Sequence, residues 1–217
     1  MFRHVTGRVF LAVAGSIGSG KTTLTRRLEA RLGLKALYED TAENPYLADF
    51  YANMSRWALP LQLRFLGTRV SQTRALIGSG ASVIQDRTCY EDAEIFAANL
   101  AARGDMDARD WDTYSLIAEQ LFVGLPPPDL LVYLHRSADS CADQIARRGR
   151  DYEAEIPMDY LRDLSERYDR WFEGYERGPR MRVEAERHDF LHSEDDLEAL
   201  VARIIDALPQ PSLPFSR

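Results

Sequence analysis

A glycine-rich loop between an apolar run and a leucine-patterned segment constrains this chain most. Residues 15–22 read GSIGSGKT, which matches the phosphate-loop pattern G-x-x-x-x-G-K-[ST] at every fixed position. The apolar run 9–14 predicts a buried parallel strand before the loop, and Leu24, Leu28 and Leu32 predict a helix after it. Glycine lets backbone N–H groups turn inward around phosphates, and the helix N-terminus adds positive potential there. The segment therefore predicts binding of a nucleoside triphosphate.

Lysine use supports this interpretation, because Lys21 is one of only two lysines in a chain otherwise rich in arginine. A compact, flexible ammonium suits a phosphate contact. We expect Thr22 to bind Mg²⁺ and Lys21 to reach the β- and γ-phosphates of the donor, which is ATP or another nucleoside triphosphate. The residues expected around the triphosphate are Gly15, Ser16, Gly18, Ser19, Gly20, Lys21, Thr22 and Thr23.

Composition limits the remaining possibilities. The 217 residues are 45% hydrophobic and 28% charged, which is typical of one globular domain. A net charge of −7 argues against a nucleic-acid surface, and the sequence has no apolar run of the ~18–20 residues that a membrane span needs. Cys89 and Cys141 lie far apart without a zinc-binding pattern. Reduced, separate cysteines fit a cytoplasmic protein.

Strands that alternate with helices predict an α/β fold with a five-stranded, mainly parallel sheet flanked by helices. The predicted strands are 9–14, 34–38, 82–86, 129–134 and 181–187. The predicted helices are 47–79 with a break near Pro60, 88–103, 107–122, 137–148, 157–177 and 194–207. We expect one domain over 1–208, and the proline-punctuated residues 209–217 are expected to be a disordered tail.

Charged residues stand where two predicted strands end. In a doubly wound sheet, ligands bind beyond the carboxyl ends of the strands. Glu39 follows the second strand and is a candidate acceptor for a hydroxyl proton, with a helix cap or a surface acid as the alternative. Asp86 and Arg87 end the third strand, where the acid can organise Mg²⁺ through water and the arginine can face phosphate. A structural salt bridge is the alternative for this pair.

Arginines also cluster at Arg147, Arg148 and Arg150, where a predicted helix stops. Guanidinium forks suit bidentate phosphate contact, and a closing lid excludes water. We therefore expect an arginine-rich lid over about residues 144–156. The alternative is a solvated helix face.

A GTPase base-reading motif N-K-x-D does not occur in the sequence. Five segments stand out by their order and spacing: residues 15–23, Tyr38-Glu39 with 44–46, 51–69, 86–96 and 148–157. Taken together, they resemble the deoxynucleoside kinase family, in particular its bacterial deoxyadenosine and deoxyguanosine kinases. The resemblance implies a P-loop kinase fold.

The resemblance implies roles around the sugar and the reacting hydroxyl. Glu39 is similar to the general base for the 5′-hydroxyl, and Arg87 to the arginine that holds this carboxylate. With Lys21, these are the expected catalytic residues. Tyr51 and Glu153 resemble the pair that hydrogen-bonds the 3′-hydroxyl, the tyrosine ring crowding the 2′ position.

It also implies a pocket for the base. Gln62 is similar to the side chain whose amide pairs with the base edge. Arg69 and Asp92 resemble a charged pair farther along the base, and Trp57 and Phe96 resemble the pocket walls.

Two motifs depart from the family pattern. Thr88 stands where serine is usual, which keeps a hydroxyl. Arg148 and Arg150 resemble the lid arginines that hold the donor phosphates, but Gln144 replaces a further arginine and Arg147 is additional. Which of these arginines contacts phosphate is thus left open.

The implied activity is ATP-dependent phosphorylation of the 5′-hydroxyl of a 2′-deoxynucleoside in nucleotide salvage. Residues 44–51 resemble the corresponding segment of the bacterial deoxyadenosine and deoxyguanosine kinases, which implies one of these two substrates, with deoxycytidine as the competitor. A thymidylate-type nucleoside monophosphate kinase and a non-catalytic nucleotide-binding subunit are the alternatives. The resemblance also implies a homodimer, or a heterodimer with a related kinase.

Overall fold

A parallel sheet of five strands runs through the part of the chain that the computed structural model describes, residues 8–39, 44–153, 155–190 and 192–208. The strand order is β2-β3-β1-β4-β5, and every neighbouring pair is parallel. The predicted tail 209–217 lies outside the described residues. The strands are β1 Phe10–Ala14, β2 Lys35–Leu37, β3 Val83–Asp86, β4 Leu130–His135 and β5 Arg180–Glu184.

The central strands are apolar because both of their faces are buried. In β1, Leu11 and Val13 pack with α1 (Lys21–Leu32) and α9 (Glu194–Ala207), whereas Ala12 and Ala14 belong to the cluster on the opposite face. Successive strand residues point to opposite faces, so one run of sequence supplies both cores.

The remaining helices lie between α1 and α9 in the sequence. Most of them cover the face of the sheet on which Ala12 and Ala14 lie. Cys89 to Arg103 is one continuous helical stretch, with a π-helical turn at Asp92–Ala97, and Asp151–Glu153 forms a 3₁₀ turn. None of the helices in the described ranges has both the length and the apolarity needed to span a bilayer. The helices are α2 Leu47–Ala52, α3 Met54–Ser79, α4 Cys89–Glu91, α5 Ala98–Arg103, α6 Ala108–Phe122, α7 Ala138–Arg148 and α8 Met158–Glu173.

The predicted helix break near Pro60 is wrong. The chain breaks at Asn53, and α3 runs through Pro60 without interruption. The Asn53 side chain accepts a hydrogen bond from the backbone N–H of Arg56 at 3.1 Å, so this residue starts a new helix. Pro60 lies near the N-terminal end of α3 and costs the helix one backbone hydrogen bond. Capping, rather than proline, sets the boundary.

Smaller differences concern the ends of other elements. The helix predicted over 157–177 ends at Glu173, next to Gly174, and the strand predicted over 181–187 covers Arg180–Glu184. Both cysteines are free and buried. The carboxyl ends of all five strands meet at one edge of the sheet, and the residues of interest gather there.

Candidate active site

The phosphate loop follows β1 and leads into α1. Its backbone φ is +154° at Gly15, +78° at Gly18 and +100° at Gly20, a region that favours glycine. At Gly18 a Cβ atom would lie 2.4 Å from the carbonyl oxygen of Cys141 in α7. The loop therefore needs glycine for its backbone shape and, at Gly18, for close contact with a neighbouring helix.

Lys21 is buried inside this loop, with 6% of its surface exposed. Its Nζ donates a hydrogen bond to the Ser16 carbonyl oxygen at 2.8 Å. Burial, with the nearby positive charge of Arg87, lowers the pKa of Lys21 to about 8. The buried hydroxyls of Ser16 and Ser19 have no hydrogen-bond partner among the described residues. An ammonium and two hydroxyls are thus available to a phosphate group.

Thr22 and Asp86 meet where α1 begins and β3 ends. The Thr22 hydroxyl donates to Asp86 Oδ2 at 2.5 Å. Asp86 is 1% exposed, and its Oδ1 is buried without a hydrogen-bond partner in the described part of the chain. An unpaired carboxylate oxygen beside a hydroxyl supplies oxygen ligands, which Mg²⁺ prefers.

Glu39 lies between two arginines beyond the end of β2. Its Oε1 accepts hydrogen bonds from Arg69 Nη2 at 3.0 Å and from Arg87 Nη1 at 3.2 Å. Burial alone raises the pKa of Glu39, but the positive charges of Arg87 and Arg69 outweigh burial and lower this pKa to about 2. Glu39 is therefore ionised and held in a fixed orientation.

Arg87 has an unusual backbone, with φ of +69°, the one positive φ outside glycine in the described ranges. Such a conformation costs about 1–3 kcal/mol and persists only when its surroundings enforce it. The guanidinium lies 4.1 Å from the centre of the Phe96 ring, and its Nη2 approaches the Gly15 carbonyl oxygen at 3.5 Å. These contacts aim the Arg87 side chain back toward the phosphate loop and Glu39.

Arg69 and Asp92 form a buried ion pair, as the resemblance implied that they would pair. Arg69 Nε donates to Asp92 Oδ2 at 2.6 Å, and both side chains are less than 5% exposed. Arg69 Nη1 also reaches the carbonyl oxygens of Asp86 and Arg87 at 3.3 Å. Arg69 thus connects Glu39, Asp92 and the end of β3 through its hydrogen bonds, whereas the resemblance implied a position along the base.

A cavity of about 490 Å³ opens beside these residues. It brings together the phosphate loop, the end of β2, the face of α3 that carries Gln62, and the lid segment. The predicted site residues that line it are Gly18, Gly20, Lys21, Thr22, Thr23, Glu39, Tyr51, Gln62, Arg87, Asp92, Phe96, Arg148, Arg150 and Glu153.

Trp57 is not among the lining residues. It lies one turn before Leu61 on α3, where its ring packs against Tyr46 at 5.6 Å and under the Arg56 guanidinium at 4.5 Å. The wall expected from Trp57 is formed instead by Phe65, which the sequence analysis did not select.

Gln62 is the polar group on the apolar side of the cavity. It is 2% exposed, and its Oε1 has no hydrogen-bond partner among the described residues. A buried amide without a partner carries a desolvation cost. A ligand that donates to this oxygen would remove that cost.

The lid segment contributes Glu153, which is 6% exposed. Its carboxylate accepts hydrogen bonds from Arg148 at 2.6 Å and from Arg150 at 3.4 Å. Burial, with nearby Tyr160 and Glu153, raises the pKa of Tyr51 well above its usual value. The structure therefore brings Tyr51 and Glu153 to one cavity, and it pairs the lid arginines with Glu153. Gln144 and Arg147 also line the cavity.

Glu91 is a site residue that sequence reasoning missed. It is fully buried and accepts hydrogen bonds from the Thr88 N–H at 2.8 Å, the Tyr168 hydroxyl at 2.9 Å and the Gly15 N–H at 3.4 Å. Burial raises the pKa of Glu91. The T-x-x-E spacing of Thr88 and Glu91 signals a capping box, which the structure contains. The link to Gly15 spans 76 residues and has no local signal.

Comparison with known proteins gives this arrangement a family. The family model for deoxynucleoside kinases matches residues 11–209. The deoxyadenosine/deoxycytidine kinase of Bacillus subtilis is 34% identical over 207 residues, 94% of this chain and 95% of that protein. A deoxyguanosine kinase of Lactobacillus acidophilus is 34% identical over 209 residues, covering 92% and 91%.

A solved structure points to the same family. The deoxyadenosine kinase of M. mycoides with bound dATP superimposes with a TM-score of 0.79 at 25% identity, over 91% of this chain and 99% of that one. On the family match and the two relatives, this chain belongs to the deoxynucleoside kinase family.

Proposed function

We propose that this protein transfers the γ-phosphoryl group of ATP to the 5′-hydroxyl of a 2′-deoxynucleoside. The observation that carries the proposal is one cavity shared by Lys21 of the phosphate loop, the ionised Glu39 and the buried amide of Gln62. Donor, reacting hydroxyl and base each meet a group suited to them. Family membership and relatives named as deoxynucleoside kinases support it.

The donor triphosphate is assigned to the phosphate loop. Its backbone N–H groups, the Lys21 ammonium and the start of α1 supply positive potential. Arg148 and Arg150, together with Arg147, line the same cavity and are assigned to the lid. Holding the donor in line with the acceptor supplies most of the rate in this reaction class.

Thr22 and Asp86 are the residues that would hold Mg²⁺. Bound to the donor, the ion neutralises charge on the β- and γ-phosphates. Asp86 Oδ1 has no hydrogen-bond partner among the residues that the structure describes, which supports this assignment because a buried carboxylate oxygen needs a cation or a donor.

Glu39 is assigned to accept the hydrogen bond of the 5′-hydroxyl and then its proton. A pKa of about 2 makes it a weak base before substrate binds. Phosphoryl transfer through a loose transition state makes little demand on base strength, so orientation of the hydroxyl is the main contribution. Arg87 holds the carboxylate and faces the transferring phosphoryl group.

The substrate is assigned to the apolar end of the cavity. Tyr51 and Glu153 are proposed to bind the 3′-hydroxyl, and Gln62 to pair with the base edge. Phe96 and Phe65 provide aromatic faces for stacking. Asp92 lines the cavity and reaches the base only with its second oxygen, since Oδ2 is bound to Arg69.

The preferred substrate is proposed to be a purine deoxynucleoside. Most relatives are named as kinases of deoxyadenosine or deoxyguanosine, and two have deoxycytidine in their names. The test is kcat/KM for the four common deoxynucleosides with Mg²⁺ and ATP. We expect deoxyadenosine or deoxyguanosine to exceed thymidine by about tenfold or more. Thymidine or deoxycytidine in first place would refute the purine assignment.

The same assay separates the alternatives. A nucleoside monophosphate kinase would use dTMP or dAMP better than the nucleosides. The negative charge of Glu39 disfavours this alternative, because it would repel the acceptor phosphate. A non-catalytic subunit would release no ADP with any acceptor. For assembly, we propose a homodimer in the cytoplasm, and light scattering would measure its mass. The exposed Leu116 of α6 and Val123, which follows that helix, support a contact between subunits.

A further inference from the structure

Arg136 follows β4 directly and touches three separate segments. Its Nε donates to the Ser19 carbonyl oxygen in the phosphate loop at 3.2 Å. Its Nη1 donates to the Ser140 hydroxyl in the first turn of α7 at 2.9 Å, and its Nη2 approaches the Ala185 carbonyl oxygen after β5 at 3.4 Å. One guanidinium thus links the phosphate loop to α7, the helix that leads into the lid, and to the segment after the edge strand β5.

The contact with Ser19 bears on which way the loop presents its amides. The Ser19 carbonyl and the Gly20 N–H belong to one planar trans peptide unit, so they point in opposite directions. Binding the carbonyl to Arg136 therefore directs the Gly20 N–H away from Arg136. Gly20 lines the cavity, and at this position glycine can accept either orientation of the peptide because its backbone is permissive.

The other two contacts keep Arg136 from following the loop. Ser140 is fixed because its N–H is capped by the Ser137 hydroxyl, which in turn donates to Glu186 after β5 at 2.6 Å. Helix α7 also packs directly on the loop, since a Cβ at Gly18 would meet the Cys141 carbonyl oxygen. The guanidinium is anchored on rigid elements on two sides.

We propose that Arg136 is a positioning residue that sets the Ser19–Gly20 peptide so that the Gly20 N–H faces the donor phosphates. The inference rests on the proposed function only in that the loop holds the donor triphosphate. It predicts that replacing Arg136 weakens the binding of ATP and leaves the binding of the deoxynucleoside unchanged. If Arg136 were merely structural, its replacement would weaken the binding of both ligands or lower only the stability of the fold.

The experiment compares the parent protein with Arg136→Ala, Arg136→Lys and the control Arg162→Ala. Arg162 is exposed and also contacts α7, through Asp139, without approaching the loop. Dissociation constants for Mg²⁺–ATP and for deoxyadenosine are each measured by calorimetry without the other ligand, alongside thermal unfolding. KM for ATP and KM for deoxyadenosine are measured for each variant.

We expect Arg136→Ala to weaken ATP binding and raise KM for ATP by about tenfold, the scale of one lost oriented donor. Deoxyadenosine binding should stay within about twofold, as should both constants in Arg162→Ala. Arg136→Lys should lie between, since an ammonium can reach Ser19 but cannot hold all three segments.

Two results would overturn the inference. One is ATP affinity in Arg136→Ala equal to that of the parent. The other is equal weakening of both ligands together with a lower unfolding temperature. If Arg136→Ala does not fold, Arg136→Lys decides by the same split between ligands. A parent that binds ATP but phosphorylates no deoxynucleoside would refute the proposed function and leave the ATP comparison valid.

Discussion

Replacing Glu39 by glutamine tests the proposed reaction most directly, because the change keeps the shape and removes the charge. In the folded protein, Glu39 Oε1 receives hydrogen bonds from both Arg69 and Arg87. Glutamine retains one acceptor oxygen and can still contact these guanidiniums, although charge-assisted bonds are about twice as strong as neutral ones. The variant should therefore fold while losing the group that takes the proton.

The magnitudes follow from the pKa and from the chemistry. Lowering the pKa of Glu39 from 4.5 to about 2 corresponds to about 3 kcal/mol of stabilisation at neutral pH. This contribution is present above the unfolded pKa and is lost as pH falls toward 2, so Glu39→Gln should lower the free energy of unfolding by at most about 3 kcal/mol at pH 7. The deficit should shrink below about pH 4.5. Turnover should fall about 100-fold or more.

The assay is steady-state kcat with deoxyadenosine, together with ATP affinity by calorimetry and urea unfolding at pH 7 and pH 4. Glu29→Gln is the matched control, because Glu29 accepts the Tyr38 hydroxyl at 2.5 Å beside β2 but does not line the cavity. We expect the control to keep turnover and Glu39→Gln to keep ATP binding within a few-fold. Turnover of Glu39→Gln close to the parent rate would show that Glu39 is not the proton acceptor.

Three further outcomes are expected. A 2′,3′-dideoxynucleoside should lose about 10- to 100-fold in kcat/KM, since Tyr51 and Glu153 would be left without the 3′-hydroxyl; equal values would refute that assignment. Gly18→Ala should abolish ATP binding and lower the unfolding temperature more than Gly80→Ala, because both have positive φ but a Cβ meets atoms only at Gly18; equal effects in calorimetry and melting would contradict the packing argument. ATP affinity of the free protein should fall as pH rises through about 8, where Lys21 loses its proton; a flat dissociation constant from pH 6.5 to 9.5 would argue against a buried ammonium.

Local patterns predicted most of the fold. The central strands and the phosphate loop were found because a strand buried on both faces needs a continuous apolar run and a phosphate loop needs glycine at fixed positions. The edge strands β2 and β5 carry charged residues and were predicted from their alternation with helices. The break in the long helical region was misplaced at Pro60. Its true position depends on a hydrogen bond that the Asn53 side chain accepts from the Arg56 N–H, and asparagine also occurs in turns and inside helices.

The site shows a different limit. Sequence reasoning selected Glu39, Arg87 and Asp86 because each lies at or just beyond the end of a strand. It could not show that Arg69 shares the same carboxylate oxygen with Arg87, or that Glu153 pairs with Arg148. These contacts form only when distant elements pack. The sequence alone offers several acidic residues as partners for each arginine and does not select among them. Trp57 shows the opposite error. It was expected to be a wall of the pocket, but an aromatic residue on the expected helix need not reach the cavity.

The π-helical turn at Asp92–Ala97 links the number of residues in this helix to the shape of the cavity. It holds one more residue than an α-helical turn, and Asp92 and Phe96, near its two ends, both line the cavity. Deleting a single residue such as Glu94 would let the turn relax to α-helix and rotate one end by about 100° relative to the other. One of the two side chains would then leave the cavity. In a scan of this segment, we expect single deletions to abolish activity at positions where substitutions are tolerated.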